Sequence, residues 1–88
     1  MRLMSNEIRE RFTELCKEAG VVEGHEEGQW NLDHHLNGYI VFENVKGSKK
    51  RPLNSLRLGG RSMYEAMEVA LGVLAKRKEI ERRNHGSS

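Results

Sequence analysis

The sequence predicts an α+β domain: a helix, a three-stranded antiparallel sheet and a second helix (αβββα), with both helices packed on one face of the sheet. Three observations predict it. An apolar stripe at helical spacing ends at Gly20, an alternating stretch is split by Asn37-Gly38, and a Ser-x-x-Glu sequence opens an apolar-periodic run over the last third. The 88 residues suit one domain. It is expected to span residues 5–83, between a disordered N-terminus (1–4) and a disordered tail (84–88).

The first helix is expected over residues 6–19. Ser5 can cap it, because a hydroxyl accepts from a free N–H of the first turn, and Glu7 places negative charge where the helix dipole favours it. Ile8, Phe12, Leu15, Cys16 and Ala19 form one apolar face. Gly20 stands where a left-handed residue closes a helix. Residues 23–28 are acidic and glycine-containing, and read as a loop.

Trp30, Leu32, His34 and Leu36 alternate with polar residues, the pattern of a half-buried strand. Asn37-Gly38 favours a two-residue hairpin turn, since both central residues of a type I′ turn need positive φ. That turn places Leu36 opposite Tyr39, His34 opposite Val41 and Trp30 opposite Val45. The second strand, Tyr39-Ile40-Val41-Phe42, is apolar on both faces and therefore central. A third strand is expected over residues 53–58, with Leu56 and Leu58 on one face, before Gly59-Gly60 breaks the chain.

The second helix is expected from Ser62 to about Arg83. Ser62 and Glu65 make a capping box. Met63, Ala66, Met67, Ala70, Leu71 and Leu74 give the core stripe, and Val69, Val73 and Ile80 widen it onto a further face. Gly72, mid-helix, costs about 1 kcal/mol relative to alanine, and close approach of another backbone would explain it. Each apolar stripe needs a surface to cover it, which stacks both helices on the sheet.

A chain this short buries only about 60–65% of its unfolded surface, so either the core is efficient or a second copy shares the burden. A lone cysteine, Cys16, precludes an internal disulfide and points to a reducing compartment. No apolar run approaches a membrane span, and the charged residues after Met1 do not resemble a leader. The expected location is cytoplasmic, away from membranes.

The net charge of +2 conceals a segregation. Residues 1–45 carry nine acids and four bases, whereas residues 46–61 carry Lys46, Lys49, Lys50, Arg51, Arg57 and Arg61 and no acid. Gathered on one surface, those six bases would attract a phosphate backbone. Otherwise they form a solvated loop, or neutralise the acidic first half. The second basic group, Lys76-Arg77-Lys78 with Arg82 and Arg83, suits the end of a helix.

Other tempting residues read as structural. His34 and His35 are adjacent on a strand and point to opposite faces, so they do not share a metal. His25 lies beside Glu26 and Glu27. His34 is expected to be partly buried and bonded to backbone, with a ligand-binding or pH-sensitive position beside Asp33 as the sharper alternative. Cys16, on the apolar stripe, lacks what a catalytic thiol needs. No metal site, cofactor loop, nucleophile–base pair or paired carboxylates can be read.

The element order, with Gly60-Arg61-Ser62-Met63-Tyr64-Glu65-Ala66 at the start of the second helix, resembles that of double-stranded RNA-binding domains across residues 5–83. The resemblance is one of topology. Where that family carries a lysine-rich helix start, this chain has Met63, Tyr64, Glu65 and Glu68. Size and charge also resemble short accessory proteins of bacteriophages and mobile elements. The expectation is a small non-catalytic binding protein that contacts DNA or RNA through the six bases of residues 46–61. The alternative is a protein–protein interaction module, or a homodimeric regulator paired through Val69, Val73 and Ile80.

Overall fold

The computed structural model describes residues 5–35, 38–47, 49–54 and 57–86. Its elements are α1 (Ser5–Ala19), β1 (Trp30–His35), β2 (Gly38–Val45), β3 (Lys49–Pro52) and α2 (Gly60–Gly86). The strands form one antiparallel sheet in the order β1-β2-β3. Both helices lie on one face of it, as the sequence predicts.

Helix α1 forms because its apolar residues recur on one face, and that face is fully used. Ile8, Phe12, Leu15 and Cys16 are all buried. Gly20 (φ 72°) closes the helix in a Schellman motif: its N–H donates to Lys17 O at 3.1 Å and that of Val21 to Cys16 O at 2.9 Å. The core joins these residues to Tyr39 and Val41 of β2 and to Met63 and Met67 of α2. Complete burial of Ile8, Phe12 and Met67 stabilises the fold by roughly 1.5–3 kcal/mol each. The helices run side by side in the same direction, with Ile8 at Gly60, Arg11 at Tyr64 and Glu68, and Glu18 at Lys78. Helix α2 continues past the end of α1, and its residues from Ala75 to Asn84 are exposed.

The hairpin register differs from expectation by two residues. His35 pairs with Gly38, His34 with Tyr39, Leu32 with Val41 and Trp30 with Glu43. Gly38 is thus a strand residue, and the expected partner of Tyr39, Leu36, lies with Asn37 outside the described residues. Tyr39 also bridges to Leu58, donating to its carbonyl at 2.7 Å and accepting from its N–H at 2.9 Å. A Cβ on Gly38 would stand 2.3 Å from Leu58 O, and its φ of 117° also excludes most side chains. Because the shift is by two, every side chain keeps its expected face.

The third strand is Lys49–Pro52; of the strand expected over residues 53–58, Leu58 joins the sheet through an isolated bridge to Tyr39, and Ser55 and Leu56 lie outside the described residues. The charged sequence of Lys49–Pro52 hides it, since an edge strand needs backbone pairing and tolerates charges and a terminal proline. Beyond it the chain leaves the ladder. Leu53 N–H donates to Val41 O at 2.8 Å, and Asn54 Oδ1 accepts from Val41 N–H at 2.8 Å, standing in for strand backbone.

Helix α2 begins at Gly60, and Met63 N–H donates to Gly59 O at 2.8 Å. Ser62 is therefore inside the first turn and not its cap, and Glu65 faces Arg61 at 3.5 Å. Glycine at position 60 admits the Ile8 side chain, 3.2 Å from where a Cβ would be. Among the described residues nothing lies within 4 Å of where a Cβ on Gly72 would stand, so none of them supplies the expected neighbouring backbone. On the sheet face away from the helices, Asn44 is buried. Its amide donates to Gly24 O at 2.8 Å and Gln29 O at 2.9 Å, fixing the connection after α1.

Candidate functional site

The six bases of residues 46–61 occupy several surfaces. Lys46 is exposed in the β2–β3 turn, and Lys49, Lys50 and Arg51 are exposed on β3. Strand alternation sends Lys50 to the sheet face opposite Lys49 and Arg51, where its ammonium stands 5.8 Å from the centre of the Phe42 ring. Arg51 bonds to Glu43 of the neighbouring strand. Arg57 is half-buried and donates to Asp33 Oδ2 at 2.7 Å and Gly38 O at 3.4 Å. Arg61, in the first turn of α2, pairs with Glu65.

All three arginines thus meet carboxylates, and two of those, Asp33 and Glu43, belong to the acidic first half. Lys46, Lys49 and Lys50 have no carboxylate within 4 Å among the described residues. In the C-terminal basic group, Lys78 reaches Glu18 at 3.3 Å and Arg83 reaches Glu79 at 2.7 Å.

The histidines separate as strand geometry requires. His34 is exposed and stacks on Tyr39, with ring centres 4.0 Å apart and planes 5° from parallel. That replaces the half-buried, backbone-bonded environment expected of it. The histidine beside Asp33 is His35, at 3.4 Å. The Asp33 carboxyl is held below its ordinary range, chiefly by the hydrogen bond from Arg57, with the charges of His35, Arg57 and Lys50 adding. Burial pushes the Cys16 thiol up to about 11, Glu23 adding, so it stays protonated at neutral pH. Among the described residues, no three His, Cys, Asp or Glu side chains gather where a metal could be held. No described helix is long and apolar enough to cross a membrane.

An apolar concavity lies elsewhere. Helix α2 packs along α1 and stands off the sheet on its other side, leaving an open cleft of about 420 Å³. Leu15, Ala19, Trp30, Val41 and Met67 contribute to its lining from α1, the sheet and α2. Leu53, Asn54 and Leu58 come from the β3–α2 connection, and Ala66, Ala70, Val73 and Leu74 from α2. Asn54 is the polar residue among these, and its amide oxygen is engaged by Val41 N–H.

Sequence periodicity marks the α2 side of this cleft, because the apolar sector there is wider than one sheet face requires. It does not mark Trp30 and Leu53, which come from other parts of the chain and meet α2 only in the fold. Comparison with known proteins returns no match to a family model, to a curated protein or to a solved structure.

Proposed function

We propose that this protein is a small binding protein whose contact surface is the apolar cleft under α2, and that an apolar helical face is what it takes. The observation that carries this is the lining of the cleft. Its lining residues offer no titratable group, and its amide side chain is already engaged, so it is suited to apolar burial and not to proton transfer or nucleophilic chemistry. Its open form between a helix and a sheet resembles the grooves that accept amphipathic helices. The chain's single tryptophan, Trp30, lines it and so reports on it. Titration with a synthetic amphipathic helix should shift Trp30 emission to the blue with saturation. No change up to about 1 mM peptide, a limit of about −4 kcal/mol, overturns the reading.

A second reading is favoured by the three lysines without carboxylate partners. Lys46, Lys49 and Lys50 on the β2–β3 hairpin could contact phosphates of DNA or RNA. Three neutralised phosphates imply a slope of log affinity against log salt of only about −2.7. A gel-shift series at low and moderate salt tests this, and no binding at the lowest salt ends it.

A further inference from the structure

We infer that the occupant of the cleft is α2 of a second copy of this chain, so that the protein works as a two-fold dimer; this rests on the cleft being the contact surface. The argument begins with area. The chain exposes 6713 Å², whereas a folded monomer of its mass is expected to expose about 5,300 Å². The excess, roughly 1,400 Å², is a figure for the whole chain and includes the protruding end of α2, whose residues from Ala75 to Asn84 are exposed; a standard interface takes ~800 Å² from each partner. The radius of gyration, 14.6 Å, likewise exceeds the ~12 Å of a compact domain of this length. Part of the excess is the end of α2 beyond Lys78, which itself carries an exposed Ile80.

The second argument is continuity. Val69, Val73 and Ile80 are 67%, 47% and 47% exposed, and a spacing of four and seven residues puts them on one side of α2. Val73 also lines the cleft. A protruding apolar ridge and an apolar recess therefore share an edge on one helix. Two copies related by a two-fold axis near Val73 can each lay the ridge across the other's recess, which is the self-complementary arrangement that closes a dimer without leaving a free end. A foreign helix would cover the recess but leave this protomer's own ridge in need of a second partner.

Sedimentation equilibrium of the full chain tests the inference, with Val73→Glu and the more exposed Val69→Glu as variants. The expected result is a wild-type mass of twice 10.1 kDa at micromolar concentration. Either glutamate should weaken association by at least about a hundredfold, since it would bury an unpaired charge. Circular dichroism establishes folding, and if Val73→Glu unfolds, Val69→Glu decides. A wild type that is monomeric up to about 1 mM, or a dimer unaffected by Val69→Glu, overturns the inference. A monomer whose Trp30 still responds to a foreign amphipathic helix sinks the self-partner alone. A monomer with no response sinks the cleft reading as well.

Discussion

Helices α1 and α2 both carry apolar residues at helical spacing, yet the protomer satisfies only one of them. Every large apolar side chain of α1 from Ile8 to Leu15 is buried. On α2, Met63 and Met67 are buried while Val69, Val73 and Ile80, further round the same helix, are exposed. The contrast teaches that periodicity tells which face is to be covered and is silent about whose atoms cover it. Helix α1 is satisfied within the chain, whereas α2 has an apolar sector wider than the protomer can enclose.

The largest expected effect separates the two helices directly. Phe12→Ala should destabilise the fold by about 3–5 kcal/mol, the cost of emptying a filled core site. Val69→Ala should move protomer stability by less than about 0.5 kcal/mol, as at an ordinary surface position. Urea unfolding under monomeric conditions checks both, and comparable losses would break the distinction between a used and an unused face.

Two glycines sharpen the same contrast. Gly38→Ala should cost roughly 2–4 kcal/mol, because it combines positive φ with overlap on the Leu58 carbonyl. Gly72→Ala meets nothing within 4 Å among the described residues and should stabilise the protomer by up to about 1 kcal/mol. Thermal melts of the two variants should move in opposite directions.

The smallest effect concerns the charge arrangement. Arg57 holds the Asp33 pKa below its unfolded value. The associated stability is therefore present above about pH 4 and is lost as pH falls through the lower folded value. Both groups are about one-third exposed, so the contribution is modest. Asp33→Asn should flatten the acid limb of a stability–pH curve below pH 4, and an unchanged limb would show that the pair is not coupled to folding.

Much of this fold is legible in the sequence for identifiable reasons. Helix α1 and its Gly20 terminus follow from local spacing and one backbone conformation. The central position of β2 follows from Tyr39-Ile40-Val41-Phe42 being apolar on both faces. Strand β3 is hidden because Lys49, Lys50, Arg51 and Pro52 belong to an edge, where backbone hydrogen bonds decide and side-chain pattern does not. The register escapes because Asn37-Gly38 reads locally as a turn, whereas Gly38 pairs with His35 as a strand residue and packs closely against Leu58, twenty residues away. For the site, the sequence marks Val69, Val73 and Ile80 as surplus apolar surface. It cannot show that Trp30 and Leu53 complete a recess beside them. Nor can charge counting show that Arg51, Arg57 and Arg61 each meet a carboxylate, since those pairs depend on strand register and helix phase.

If the exposed apolar side of α2 is covered in the working protein, its methyl groups are shielded from solvent. Methyl NMR with a dissolved paramagnetic agent measures this directly at Val69, Val73 and Ile80, with buried Ile8 as the internal reference. The predicted result is shielding close to that of Ile8, which is buried away from the cleft, at high protein concentration and progressive exposure on dilution. Full exposure of all three residues at every concentration would contradict it.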